Sequence, residues 1–459
     1  MKTLIHHLKR FSIYTLLLGA VGFAGCEDEN RQDMTPEIGE GEVTPKITMY
    51  TPTAGGKSTS LTLYGTHFGT DLDNIRVTVN GVDAEVTGAL GNIITANVQR
   101  GSGSGPVKIY IGQGENIQEL TYKTEFEYSQ SPIVSSYIGS YVPAAKTEKK
   151  EGSLMEAVLW KPGSIAFDKE GTLYIVEDED RDIRIAKDNQ VATFLRGDVT
   201  GGVAFRMMNI AFSLDGNTLF LSNDANGSGS AHIATMSWSN DAHQYDTESL
   251  AAIWSITSSL GNGVTNVGVH PVTGEVFSVA HGNAMIYKYD PEQNTMVTTG
   301  QQLPDADGKN ASKVKIRCIL FDKAGTTVYM SSQEKDVIYK GDYDMVTGLF
   351  SNLHIWIGQY DKTGFVEGQG NDARLQEPCQ MDLDEEGNIY VAVRKKHRIA
   401  KITPDGVVTS YTGTGTSGTT DGPLDKAQFN HPEGVQFGPD GALYVSDYWN
   451  HKIRKIEKD

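Results

Sequence analysis

The C-terminal stretch, residues 429–458, contains three short runs in which apolar and polar residues alternate. The runs are residues 434–437, 442–446 and 452–456, and they are separated by a Gly-Pro-Asp-Gly turn and by the polar loop Asp-Tyr-Trp-Asn-His. Period-two alternation bounded by turn residues is typical of antiparallel strands and not of helices. The stretch therefore predicts a three-stranded meander.

The same pattern recurs along the chain. Residues 375–402 and 161–186 repeat it clearly, and weaker copies begin at Arg206, Gly263 and Lys315. Six copies at a spacing of roughly 45 to 60 residues are typical of propeller blades. Because one small sheet cannot bury its faces alone, six sheets stacked around an axis provide the core. The pattern predicts a six-bladed β-propeller.

The last unit stops after three strands, so its fourth strand has to come from elsewhere. Residues 134–141, VSSYIGSY, resemble residues 408–415 and 354–360, which both follow a third strand. An N-terminal strand that completes the last blade removes two open sheet edges at once. We therefore expect the propeller to be closed by this N-terminal strand.

The pair Asn450 and His451, which precedes Lys452, carries a resemblance to a known family. Together with Gly434 and the turn at Gly441, these residues resemble the NHL repeat, a β-propeller family, and the resemblance spans residues 130–459. It implies that Asn450 and His451 pack and form hydrogen bonds within the fold. His397 falls at the same place in the preceding unit.

Residues 45–129 also alternate with period two, and Asn80-Gly81 predicts a hairpin turn within them. The pattern indicates an immunoglobulin-like β-sandwich. Its glycines and apolar residues resemble the IPT/TIG domain: Pro52, Gly55, Gly56, Gly65, Phe68, Gly69 and Gly81. The chain is thus predicted to be all-β, with a sandwich followed by the propeller.

Residues 1–25 have a basic start and a short apolar run, which is typical of a signal peptide. The run ends at Cys26 and resembles the lipobox of bacterial lipoproteins, which implies acylation of Cys26. The alternative is an ordinary cleavage site with an incidental cysteine. Residues 26–44 are interpreted as an acidic tether, and Glu27-Asp28-Glu29 resembles the export tag of surface lipoproteins in polysaccharide-foraging Gram-negative bacteria. We expect an outer-membrane lipoprotein at the cell surface, with the periplasmic face as the alternative.

The formal net charge of −18 makes the surface poorly suited to nucleic acid or anionic lipid. Contact with the membrane is therefore expected through the lipid anchor only. Cys318 and Cys379 fall at the starts of first strands in adjacent units, and we expect them to be buried free thiols.

Candidate site residues lie in two loop positions that a meander places on one face of the propeller. A structural repeat would keep one residue type at each position, whereas here the residues are mixed, polar and ionisable. After the second strands these are Asp178, Asp224, His281, Gln333, Arg394 and Tyr448. Before the first strands they are Lys161, Arg206, Lys315, Glu377 and His431, with Gly263 at the same position of the third unit. The alternative is that solvation alone makes these loops polar and that about half of the residues touch no ligand.

Sugar rings stack on flat apolar side chains, and Trp449 and Tyr448 lie in a loop where they could serve this purpose. The predicted function is non-catalytic binding of a polysaccharide or glycoconjugate, with outer-membrane uptake components as further partners. A protein–protein scaffold that uses the propeller rim is another alternative.

An enzyme is the other class to weigh, because some NHL-type propellers are lyases whose axial metal is held by several histidines. Here the two positions hold only His281 and His431, fewer than the three or four ligands that zinc requires. Asp178 and Asp224 could form a carboxylate pair for glycosidic chemistry or help to hold calcium. We predict no catalytic residues and no cofactor, with a lyase or hydrolase and a calcium ion as the alternatives.

Overall fold

The computed structural model describes residues 44–57, 59–129, 132–140, 142–177, 179, 181–197, 206–224, 232–254 and 263–457. The predicted signal peptide, Cys26, most of the acidic tether and Asp178 lie outside the described residues. Within these ranges the chain is all-β, and only short 3-10 turns interrupt the strands. None of the helical segments described is long and apolar enough to cross a membrane.

The N-terminal domain is a sandwich whose strands follow the order one, three, six, five, four, seven, eight, two. Asn80 and Gly81, both with positive φ, form the predicted hairpin turn between the fourth and fifth strands. Leu61, Val77 and Ile94 are fully buried in its core. The strands are Lys46–Thr51, Ala54–Gly55, Ser60–Gly69, Ile75–Val79, Val82–Ala89, Gly91–Asn97, Gly105–Ile111 and Gln118–Tyr128.

The six-bladed propeller follows, and each blade is an antiparallel meander. The first strands, nearest the axis, are Pro162–Phe167, Met207–Phe212, Gly268–Val269, Ile316–Phe321, Pro378–Leu383 and Pro432–Phe437. The second strands are Leu173–Glu177, Thr218–Asn223, Val276–Val279, Thr327–Ser332, Ile389–Val393 and Leu443–Asp447. The third strands are Asp182–Lys187, Ile233–Ser239, Met285–Asp290, Val337–Asp344, Arg398–Ile402 and Lys452–Glu457.

The fourth strands of blades 1 to 5 are Gln190–Leu195, Ala251–Trp254, Thr295–Gln302, Leu349–Ile357 and Val407–Thr412. Blade 6 takes its fourth strand, Ile133–Ile138, from the start of the propeller, and this strand pairs antiparallel with Lys452–Glu457. The predicted closure by an N-terminal strand is therefore confirmed. Short additional strands extend blades 1, 5, 6 and 2: Gly152–Ser153, Gly368–Gln369, Gly422–Pro423 and Gln244–Tyr245.

Side chains on the first strands also join blades that are not adjacent in the ring. The side chain of Gln380 in blade 5 both donates to and accepts from the backbone of Ile165 in blade 1, at 2.8 and 3.1 Å. Gly434 lies between them, and a Cβ there would come within 2.5 Å of the Gly163 carbonyl oxygen. The absence of a side chain at Gly434 thus allows the blades to approach this closely.

Cys318 and Cys379 are both buried free thiols, as predicted. Burial raises the pKa of each thiol to about 12, so neither is a thiolate at neutral pH. They act as small apolar residues in the packing between blades 4, 5 and 6.

Candidate ligand-binding face

The candidate residues gather on one face of the propeller, here called the loop face: the residues that directly follow the second strands or precede the first strands. Arg394 and Tyr448 come immediately after their second strands, and Lys161 and His431 immediately before their first strands. Lys161, Glu377 and His431 have φ values of 50°, 53° and 56°, an uncommon left-handed conformation for residues with side chains. Such backbone geometry is maintained only where the surrounding contacts fix it.

Trp449 forms the exposed aromatic surface of this face. It is 39% exposed, and every other Phe, Trp or Tyr side chain among the described residues is less exposed. The ammonium group of Lys161 lies 4.0 Å from the centroid of the Trp449 ring and 2.5 Å from a carboxylate oxygen of Glu179. A flat apolar ring thus stands beside one cation and one anion, a combination that offers stacking and hydrogen bonds to one ligand.

Tyr448, in contrast, is only 3% exposed. Its ring centroid lies 5.9 Å from the Lys161 ammonium and 5.3 Å from the Arg394 guanidinium carbon. The ring therefore forms part of the wall that supports these two cations, and the exposed stacking surface is left to Trp449.

A chain of ion pairs runs beneath the loop face across blades 4, 5 and 6. Arg394 contacts Glu377 at 2.7 Å and Glu433 at 2.5 Å, and Glu433 also contacts Arg317 at 2.7 Å. Burial by itself raises the pKa of Glu377, but the hydrogen bond and charge of Arg394 outweigh it and the net pKa is lowered. The carboxylate is therefore ionised at neutral pH. Because the partners are buried together, removing one would leave a buried charge unpaired.

The described part of blades 2 to 4 carries a second, looser set of charges. The Asp224 carboxylate lies 3.6 Å from Arg206 and 3.8 Å from Lys315, and His281 contacts Glu334 at 2.8 Å. A Cβ at Gly263 would lie 2.3 Å from the Asp224 carboxylate. This explains why a glycine stands where the other blades have a polar side chain.

Two histidines on this face have structural roles. His451 Nδ1 accepts a hydrogen bond from the Lys161 backbone N–H at 3.0 Å, and His397 Nδ1 accepts one from the His431 N–H at 3.1 Å. At the junction between blades 4 and 5, the Asp336 carboxylate accepts a hydrogen bond from the Glu377 backbone N–H in the same way, at 2.8 Å. Burial and the neighbouring Lys161 charge lower the pKa of His451 to about 4, so it stays neutral and can accept.

The structure describes both candidate histidines of the catalytic alternatives but only one of the two candidate aspartates. His281 contacts Glu334 whereas His431 contacts His397, so the two candidate histidines lie in different contacts. In the described ranges no group of three or more His, Cys, Asp or Glu side chains could hold a metal ion. The carboxylate pair of Asp178 with Asp224 involves a residue outside the described part and stays a prediction.

Sequence reasoning missed four charged partners on or beneath this face: Glu179, Arg317, Glu334 and Glu433. Arg317 and Glu433 each occupy the second position of a first strand, where blades 1 and 5 have Gly163 and Cys379. A charged residue in an otherwise apolar first strand was the available signal.

Comparison with known families defines the class of the two domains. Residues 45–128 match the family model of the IPT/TIG domain, and residues 429–456, which make up most of blade 6, match that of the NHL repeat. The chain therefore combines an IPT/TIG domain with a six-bladed propeller that contains an NHL repeat.

Solved structures share this two-domain fold. Auxiliary nutrient binding proteins from Bacteroides thetaiotaomicron and Bacteroides ovatus superpose with TM-scores of 0.70 and 0.69 at 24% and 23% identity, covering 90% and 91% of this chain and 97% and 99% of theirs. A putative phosphatase from B. thetaiotaomicron gives 0.69 at 22% identity, covering 90% and 97%. At these identities the likeness shows the fold alone.

Curated relatives match a much shorter segment. The protein SUPPRESSOR OF QUENCHING 1 of Arabidopsis thaliana is 34% identical over 97 residues, which are 21% of this chain. The matched segment spans only 9% of that relative's own length.

Proposed function

We propose that this protein is a surface-anchored binding protein that captures a polysaccharide or glycoconjugate on the loop face without catalysis. The observation that carries the proposal is the exposure of Trp449 beside the polar residues of the loop face. A sugar ring places its apolar C–H face on an aromatic side chain and directs its hydroxyl groups to surrounding polar groups. Glu179, whose side chain is 44% exposed, supplies an acceptor on this face, and its ion pair with the buried Lys161 holds it in place.

The ion pairs beneath the face support the same proposal. Arg394, Glu377 and Glu433 fix one another's positions, so the polar wall is arranged before a ligand arrives. Such preorganisation reduces the ordering cost of binding. The structural neighbours that are named nutrient binding proteins share the whole fold, which is consistent with a role in nutrient capture.

The location and partners belong to the same proposal. Acylation of Cys26 would anchor the chain in the outer membrane, and the acidic tether with the IPT/TIG domain would hold the propeller away from it. Outer-membrane uptake components are the expected partners that receive the ligand. Palmitate labelling of cells that express the protein or its Cys26→Ala variant would test the anchor.

The binding test is a glycan-array screen of the purified protein, followed by affinity electrophoresis with each polysaccharide that binds. Trp449→Ala should weaken retention at least tenfold, which corresponds to about 1.4 kcal/mol. Trp449→Phe, which keeps a ring, should retain most of the affinity. Leu90→Ala, at a side chain that is 74% exposed on the sandwich, is the matched control and should bind normally.

Product release distinguishes binding from catalysis. Each ligand is incubated with the protein and assayed for new reducing ends and unsaturated sugars, and a phosphate ester is tested because one neighbour is named a putative phosphatase. Retention without product supports the proposal. Turnover that survives Trp449→Ala and disappears in Asp224→Asn would overturn it in favour of an enzyme.

A further inference from the structure

A cavity lies at the outer strands of blade 1. Its volume is about 310 Å³, at the lower end of the range of about 300–1,000 Å³ for small-molecule sites. The segment before the short strand Gly152–Ser153 forms one wall, and the third and fourth strands of blade 1 form the other. The nine lining residues include Lys149, Lys150, Glu151, Asp182, Arg184 and Arg196.

The lining carries an excess of positive charge. Five of the nine side chains are cationic and two are anionic, in a chain whose formal net charge is −18. Glu177 lies behind the wall and contacts Lys149 at 3.5 Å and Arg184 at 3.7 Å. Even when its charge is included, the cations outnumber the anions by two. A local positive field of this kind is unexpected on so acidic a protein.

The buried part of the wall is fixed in place. The guanidinium group of Arg184, which is 1% exposed, donates to the carbonyl oxygens of Lys150 at 3.1 Å and Ala192 at 3.4 Å. The ammonium group of Lys149 contacts Asp182 at 2.6 Å. The side chains of Lys150 and Arg196, in contrast, are exposed at the rim of the cavity.

Glu151 is an anion that the wall of the cavity already stabilises. A hydrogen bond from Thr193 is the main cause of its lowered pKa, and the charges of Arg184 and Arg196 lower the pKa further. Its carboxylate accepts from the Thr193 backbone N–H at 2.9 Å. One anion is thus already stabilised at this wall by a backbone donor and by two nearby cations.

We propose that this cavity binds an anionic group, a sulfate, phosphate or carboxylate, with Lys150 and Arg196 as its exposed contacts. Guanidinium and ammonium groups that converge on one concave site are the usual recognition chemistry for such oxyanions. The group could be the substituent of an acidic saccharide or a free inorganic anion. None of the residues that line this cavity belongs to the loop face. The anion-binding proposal can therefore be tested independently of the proposed function.

Isothermal titration of the full protein at low salt tests this site with four probes: inorganic sulfate, inorganic phosphate, glucose 6-sulfate and glucuronate. Glucose is the neutral control. The double variant Lys150→Gln/Arg196→Gln should weaken the binding of each anionic probe at least fivefold. Lys309→Gln/Lys426→Gln removes the same charge at two lysines that are 79% and 71% exposed elsewhere, and it should change affinity less than twofold.

The probes separate the two sources of the group. Tighter binding of glucose 6-sulfate or glucuronate than of the inorganic anions supports an acidic saccharide, and equal affinities support a free anion. Absence of binding by all four probes overturns the proposal. So does equal weakening in both double variants, because a general charge effect would then explain the binding. Trp449→Ala should leave binding of the inorganic anions unchanged, which separates this site from the loop face.

Discussion

Blades 5 and 6 have the same strand register but differ in the chemistry of their interiors. Asp447 ends the second strand of blade 6 and contacts Arg454 at 2.8 Å, and both side chains are fully buried. The equivalent positions in blade 5 are Val393 and Ala400. One blade is therefore built around a buried ion pair and its neighbour around apolar side chains, with the same meander as the result.

The difference shows that the meander itself does not require the ion pair. Asp447 has a more local task, since it accepts hydrogen bonds from the Asn430 N–H at 2.7 Å and from the Asn450 amide at 2.8 Å. It thereby fixes the two loops that hold Trp449. Glu177 in blade 1 does the same for the Trp160 N–H, at 2.7 Å. Buried acids thus occur on both sides of the junction where the propeller closes.

Replacing Asp447 by the valine of blade 5 should have the largest effect. Asp447→Val leaves Arg454 without its buried partner and the Asn430 N–H without an acceptor. Loss of one member of a buried ion pair costs about 3–5 kcal/mol. Urea unfolding followed by circular dichroism would measure the loss as a shift in midpoint.

The double variant Asp447→Val/Arg454→Met makes the comparison sharper, because it converts the blade 6 interior to an apolar one of similar volume. It should recover at least half of the loss, since no buried charge is then left unpaired. Asp421, the other carboxylate that contacts Arg454, is 45% exposed and can be solvated. A double variant no more stable than Asp447→Val would show that the ion pair is itself needed for blade 6.

The second comparison concerns a position that the two blades share. His397 and His451 both accept the backbone N–H at the start of the next blade, and both have positive φ. His451→Ala should cost about 2 kcal/mol, from a lost hydrogen bond and from placing alanine in the left-handed region. Thermal melting would measure it. His451→Asn tolerates this conformation and should recover part of the loss.

The matched change in blade 5, His397→Ala, provides the control. It should cost less than His451→Ala, because the His451 ring is only 4% exposed and packs against Trp160 with centroids 4.5 Å apart, whereas the half-buried His397 packs against the smaller ring of His431 at 4.6 Å. A larger loss for His397→Ala would show that packing against Trp160 does not set the difference between the two junctions.

The repeat pattern predicted the propeller, its six blades and its closure, since alternation and turn residues are local signals. Asn450 and His451 form hydrogen bonds within the fold, as the resemblance to the NHL repeat implied, and the histidine recurs as His397 in blade 5. The burial of Tyr448 and the exposure of Trp449 could not be separated, as adjacent loop residues have no periodicity that assigns them to a side.

The ion network was missed for a different reason. Glu433 meets Arg317 across 116 residues, and no pattern within one blade indicates which first strands face each other at the axis. The basic cavity was likewise invisible in the sequence, because Lys150 and Arg196 come together only when the outer strands of blade 1 pair. The ion network thus depends on the closed ring, whereas the cavity depends on strand pairing within blade 1.

The smallest change in stability is expected at a hydrogen bond that joins the first strands of consecutive blades. Asp382 in blade 5 accepts the Phe437 N–H at 2.8 Å, and Gln436 in blade 6 accepts the Phe167 N–H at 3.2 Å from the equivalent position. The same hydrogen bond is thus made by a carboxylate in one blade and by an amide in the other. Burial raises the pKa of Asp382 to about 6, so ionisation at neutral pH opposes folding.

Asp382→Asn should therefore stabilise the protein at pH 7 by about 1 kcal/mol, since an amide oxygen can accept the same bond without a buried charge. The folded pKa lies above the unfolded value, so the contribution of Asp382 is greatest below pH 4 and declines as pH rises to 6. The advantage of the variant should accordingly disappear in melting experiments at pH 4. An equal advantage at both pH values would mean that Asp382 is not the titrating group, and that charge does not distinguish this link from the one made by Gln436.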